Sequence, residues 1–209
     1  MNPLSKIKYF IPALVLCCSA PILRADEAER DILDLSIEEN LAVPDVPSKA
    51  ATYVRTAMDQ LRRQMLRNGY QAKLIRDGEV LEVTIPAGTL FAANDTVLKP
   101  SGATFLRNIG VLAAEPSRYK LLIAVHTDNT GDEQYADALT SARANAIDDL
   151  LWQLAAQRET NTVPYGLGRD EPLYPNTSRV NREKNRRVEI YVVPDNGLLQ
   201  LAGVKPKKK

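Results

Sequence analysis

The residues LLIAV, from Leu121 to Val125, form an unbroken apolar run that passes directly into His126, Thr127 and Asp128. A strand with one wet face alternates apolar and polar side chains, so five apolar residues in a row fit a strand covered on both faces. Such a strand needs layers of structure above and below it. Behind it, NTG supplies a turn, and a helical pattern runs from Asp132 to about Ala156 with Arg143 on it. The run therefore predicts an α/β arrangement with this strand near the middle of the sheet. Ligand crevices in such folds open at the carboxyl ends of central strands, which is where Asp128 falls.

The rest of the chain reads around this strand. Acidic residues 26–47 end in the proline-bearing VPDVPS and read as a linker. Ser48 is in position to cap a helix whose apolar stripe is Ala50, Val54, Ala57, Leu61 and Met65, and Asn68-Gly69 ends it. Asp77-Gly78 between LIR and EVLEVTI is a hairpin signal. Lys99-Pro100-Ser101 opens a further helix with Phe105, Ile109, Leu112 and Ala113 inward. On the long helix, Leu139, Ala142, Ala146, Leu150 and Leu154 make the expected seam, with Trp152 as core packing. A short strand at Thr162 to Tyr165, one or two helical turns at Arg179 to Asn185, and a final strand with Val188, Ile190 and Val192 alternating complete the order. The expected fold class is α/β, an α+β sandwich with helices on one face of a mixed sheet.

The 209 residues leave room for one ordinary domain with appendages. MNPLSKIK places two lysines before the apolar segment Tyr9 to Leu23, which is shorter than the roughly 20 residues a membrane span needs. A basic start and a short apolar stretch read as an export signal over residues 1–25, giving a periplasmic protein. Both cysteines, Cys17 and Cys18, lie inside it, either as apolar filler or as lipid-attachment sites that would bring the protein to the outer membrane. Without residues 1–25 the chain has 24 basic and 26 acidic residues, so bulk charge gives no support for nucleic-acid binding. The lysines of residues 196–209 read as a solvated basic tail.

Catalysis and metal binding find little support. His126 is the sole histidine, there is no GxSxG elbow, and no thiol lies beyond residue 18. One histidine makes a poor zinc or iron site, and DNTGDE lacks the ligand spacing of a calcium loop. GLG at Gly166 to Gly168 has neither the third glycine nor the following helix of a phosphate-binding fingerprint. The remaining reading is a pocket in which Asp128 takes an ammonium and Arg143 a carboxylate, together a zwitterion clamp. On chemistry alone the two residues could equally be a structural pair.

Three blocks sharpen this. HTDNTG, LTSARANAI and NREKNRRVEIYV, with the G-x-G loop between the last two, resemble the C-terminal OmpA-like domain, the peptidoglycan-binding module shared with the peptidoglycan-associated lipoprotein. The resemblance covers about Val80 to Val193, within a domain over residues 80–195 preceded by a helix and first hairpin strand over residues 48–79. It implies a βαβαββ core with a mixed parallel and antiparallel sheet. It further implies no enzyme activity, no cofactor and no metal, with Asp128 and Arg143 gripping the diaminopimelate side chain of a peptidoglycan stem peptide. By the same resemblance Thr127 and Asn129 support the aspartate, Asn94 in FAAND touches the stem, and Asn185 and Arg187 lie near the pocket. The expected role is to tether or organise the cell envelope. The alternative is an accessory or regulatory subunit of an envelope or secretion complex, anchored by this domain and meeting a protein partner through residues 26–70. A flagellar-stator type of anchor would need a membrane helix bearing an acid, and Tyr9 to Leu23 has none.

Overall fold

The computed structural model describes residues 35–156 and 159–205. The expected export segment with Cys17 and Cys18, residues 26–34 of the expected linker and the last four residues of the expected basic tail lie outside the described residues.

In chain order the elements are α1 (Ile37–Ala42), α2 (Ser48–Arg67), β1 (Gln71–Ile75), β2 (Val80–Pro86), α3 (Ala87–Leu90), α4 (Pro100–Phe105), α5 (Arg107–Ala113), β3 (Tyr119–His126), α6 (Glu133–Leu154), β4 (Thr162–Gly166), α7 (Arg179–Asn185), β5 (Arg187–Pro194) and α8 (Asn196–Leu201). The five strands form one mixed sheet in the order β1-β2-β5-β3-β4. Only β3 and β4 run parallel, with Leu121 opposite Thr162; all other neighbours are antiparallel. From β2 onward this is the expected βαβαββ core.

The apolar run explains its own position. β3 is buried along its whole length because Leu121, Ile123 and Val125 enter the main core with α2, α5 and α6. Leu122 and Ala124 enter a smaller cluster on the opposite face with Ile37, Val80, Val163 and Val193. β5 likewise turns Val188, Ile190 and Val192 to the main core.

Several boundaries differ from the sequence reading. The expected linker is structured from residue 36. Ser36 and Glu39 form a reciprocal capping box at the start of α1, and Lys120, buried on β3, donates to Asn40 Oδ1 at 2.9 Å and to the Val43 carbonyl at 2.8 Å. Tyr165 donates its hydroxyl hydrogen to the Leu35 carbonyl at 2.9 Å, and Arg76 reaches the carbonyls of Leu41 and Pro44. Proline and acid content suggested a loose tether, but apolar Ile37 and Leu41 and the long donors beneath them fix the strap in place. Ser48 is the first residue of α2 and makes no side-chain cap; Pro47 precedes it. The fully buried stripe of α2 is Ala50, Val54, Met58 and Met65, with the expected Ala57 and Leu61 partly buried against the same core. Because β1 pairs with β2, residues 48–79 belong to the same sheet and core as residues 80–195. The tail folds back as α8, with Leu198 and Leu199 buried. Trp152 is 44% exposed and Leu154 and Ala142 are exposed too, since the core face of α6 is Ala136, Leu139, Thr140, Arg143, Ala144, Ile147 and Leu151. The expected seam was partly out of phase, because this stripe contains a threonine and an arginine that a search for apolar periodicity passes over.

Candidate functional site: a two-charge pocket at the end of strand β3

Beyond His126 the chain leaves the sheet under tight control. The Thr127 amide donates to the Gly168 carbonyl at 2.8 Å, joining the end of β3 to the GLG loop. That loop lies so close to α6 that a Cβ on Gly166 would stand 2.3 Å from Ser141 Oγ, and Gly168 combines a φ of 52° with a would-be Cβ 2.2 Å from Asp137 Oδ1. Its glycines serve close packing and a left-handed turn, not phosphate binding. Asp128 Oδ1 accepts from the Thr130 amide at 2.7 Å, and Gly131 and the Asp132 cap then launch α6.

Ten residues into α6, Arg143 sits on the core-facing stripe and reaches back toward the strand end. It is 4% exposed. Its Nε donates to the Asp95 carbonyl at 2.8 Å and its Nη2 to the Ala92 carbonyl at 3.1 Å, while its guanidinium carbon lies 4.9 Å from the centre of the Phe91 ring. Among the described residues no carboxylate pairs with it and Nη1 has no acceptor. Burial draws its pKa below the ordinary arginine value, against smaller opposing effects of Tyr135 and Asp95. The carbonyls it holds belong to the FAAND loop, where Asn94 adopts a φ of 56°.

Both residues line one pocket of about 540 Å³, closed by the FAAND loop, the turn after β3, the first turns of α6 and the end of α7. Asp128 is 2% exposed and pairs with Arg186, not with Arg143; Arg186 also pairs with Glu183. Burial alone would raise the Asp128 carboxyl, but bonds from Thr130 and the Arg186 guanidinium outweigh it and hold the group below the usual aspartate value. The pocket thus presents a carboxylate kept charged by its surroundings and a guanidinium that pairs with no carboxylate among the described residues.

Of the expected site residues, Asp128, Arg143, Thr127 and Asn94 line this pocket. Asn129 is exposed on the turn and is not part of the lining. Asn185 and Arg187 are also outside it. Asn185 is wholly buried and bonds the backbone of Tyr174. Arg187 lies on the opposite face of the sheet, its Nε donating to Glu189 Oε1 at 2.7 Å. Sequence reasoning missed Arg186, Glu183, Thr130, Tyr135 and Lys99, all in the lining. For Arg186 a signal existed: if Val188, Ile190 and Val192 point to the core side, the two-residue period puts position 186 with them and Arg187 opposite. His126 obeys the same rule; it is buried beside Glu189, with Nε2 3.3 Å from a carboxylate oxygen, and does not reach the pocket.

Comparison with known proteins meets this geometry. Residues 90–186, from the FAAND loop to Arg186, match the OmpA family. Outer-membrane lipoprotein YfiB of Pseudomonas aeruginosa is 32% identical over 118 residues, covering 56% of this chain and 69% of that protein. YfiB of Escherichia coli is 31% identical over 104 residues, 49% of this chain and 64% of its own length, so the chain spans less than two thirds of that relative. Among solved structures, a MotB-like protein from Desulfovibrio vulgaris superimposes with a TM-score of 0.56 at 23% identity, over 68% of this chain and 98% of that one. The cell wall anchor of the T6SS from Pseudomonas aeruginosa does so with 0.55 at 24% identity, over 66% and 97%. These two share the fold. With the family match spanning residues 90–186 and a relative 32% identical covered over 69% of its length, the chain belongs to the OmpA family.

Proposed function

We propose that this chain is a non-catalytic peptidoglycan-binding protein of the cell envelope, and that its pocket grips the free ammonium and carboxylate of a diaminopimelate side chain. One observation carries the reading: two side chains of opposite charge, each at least nine-tenths buried, line the same pocket without bonding each other. Arg143 would receive the carboxylate at its Nη1 end, held ready by the two carbonyls of the FAAND loop. Asp128 would take the ammonium, dividing its carboxylate oxygens between that group and Arg186 or turning the arginine onto Glu183 alone. A partly desolvated charge-assisted hydrogen bond contributes about 1.5–3 kcal/mol, so two anchors fit an affinity in the micromolar range for one stem. A polymer offering many stems raises the effective concentration further. The family assignment and the likeness to an outer-membrane lipoprotein support an envelope location. On this reading the export signal lies within residues 1–25 and is cut either after Ala25 or just before a lipid-bearing Cys17 or Cys18.

The test is co-sedimentation with purified sacculi of the diaminopimelate type. Asp128→Asn keeps an acceptor for Thr130 but removes the charge, and should weaken binding about thirtyfold. Arg143→Lys should do the same. Undiminished binding by both variants, with unchanged thermal unfolding, would overturn the assignment.

A further inference from the structure

The block from Ser178 to Arg187 divides its side chains between two cavities. Glu183 and Arg186 line the pocket described above; Glu183, Lys184 and Arg187 line a second of about 270 Å³, walled by Pro86, Leu173 and Tyr174. The two are therefore neighbours across the end of α7.

The second cavity is built on a fixed floor. Asn185 accepts from the Tyr174 amide at 3.0 Å and donates to the Tyr174 carbonyl and to Asn176 Oδ1, both at 2.8 Å. Arg187 Nη1 donates to the Glu171 carbonyl at 3.1 Å. These buried groups pin the backbone of residues 171–176 while Leu173 stays 54% and Tyr174 42% exposed. Holding a loop by buried polar side chains so that two large apolar ones face solvent suits a contact surface better than a mere connection. Lys184 Nζ stands 4.7 Å from the centre of the Tyr174 ring, and no carboxylate pairs with it among the described residues. Glu183, the acid on the shared wall, is already bound by Arg186. The cavity thus offers an apolar wall and an unneutralised ammonium, which suits a carboxylate on a small alkyl body.

We propose that this cavity is a second subsite, taking a peptide carboxylate from the residue next to the diamino acid held in the first pocket. The inference rests on the stem-peptide reading above. The same chemistry could come from either side of the diamino acid: the terminal carboxylate of the alanine that follows it, or the α-carboxylate of the γ-linked glutamate that precedes it. Lys184 holds the charge and Tyr174 and Leu173 cover the alkyl part.

Calorimetric titration of the full chain with three synthetic stem peptides separates these possibilities: a tripeptide ending in diaminopimelate, the tetrapeptide with one further D-alanine, and the tripeptide with its glutamate α-carboxylate amidated. If the following residue occupies the subsite, the tetrapeptide binds about fivefold tighter than the tripeptide; if the preceding one does, amidation weakens binding by about the same factor. Whichever difference appears should vanish in Lys184→Ala and in Tyr174→Ala, both exposed positions. Equal affinity for all three peptides overturns the second subsite alone, as does a difference that survives both substitutions. Failure of the wild-type chain to bind any of them overturns the first-pocket reading and this inference with it.

Discussion

Arg143, the proposed carboxylate anchor, also holds the structure of the site. Its Nε and Nη2 bonds close the FAAND loop over the pocket, and Phe91 packs beneath its guanidinium. Truncation would leave the Asp95 carbonyl without its donor, leave the Ala92 carbonyl with the Asp95 amide alone, and remove a cation–π contact. Arg143→Ala should therefore lower unfolding stability by about 2–3 kcal/mol in urea titrations, whereas Asp128→Asn should lower binding with a much smaller loss of stability. Equal stability of the two variants would show that the loop does not depend on the arginine. The sequence made Asp128 and Arg143 legible as a pair of opposite charges. It did not disclose that Asp128 already has a cationic partner, because Arg186 lies 58 residues away and meets it only through the antiparallel contact of β5 with β3. Nor could it show that Asn185 works behind the second cavity, since a buried amide serving one loop reads in sequence like any pocket asparagine.

At the level of elements, the closest approach in the site is between the GLG loop and α6. A methyl group on Gly166 would collide with the Ser141 backbone nitrogen at 2.4 Å, which no rotamer change relieves. Gly166→Ala should force the loop from α6, at a cost of about 1–3 kcal/mol in stability, and weaken peptide binding with it by disturbing the Thr127–Gly168 link. A melting temperature equal to that of the wild type would contradict this. The strap over the other face makes a different prediction. Lys120 is buried among neutral acceptors, and burial lowers its pKa to about 8, against the pull of Asp195. Between that value and the ordinary 10.5 the unfolded chain holds a proton that the folded one has released, so this group makes stability rise with pH across that interval. Urea midpoints at pH 7.5 and 9.5 should show the rise in the wild type and a flatter profile in Lys120→Met. The strap itself was not legible, because a six-residue helix has too few turns for periodicity to register, and its anchoring donors come from distant strands.

For the molecule as a whole, the continuous run of β3 gave the correct two-sided burial, whereas the alternation of β5 suggested one wet face and the strand is buried on both, its polar side occupied by the paired Arg187 and Glu189. Domain limits were less readable, since the helix and first hairpin strand that looked like a preface supply an edge strand and part of the core. The strand order has a further consequence for when this chain can fold. Among the described strands β5 leaves the ribosome after the other four, yet it lies between β2 and β3 and joins the two halves of the sheet. Until residues 187–194 are available, β1-β2 and β3-β4 are separate pairs and Asp128 lacks its arginine. A chain cut after Asn185 should show no cooperative unfolding transition and be digested rapidly by protease, while one cut after Val204 should behave as the intact protein. Native-like resistance of the shorter chain would refute this. A sheet whose keystone follows both of its halves in the chain cannot close early: whichever pairs form first must wait for residues 187–194 before the core is complete.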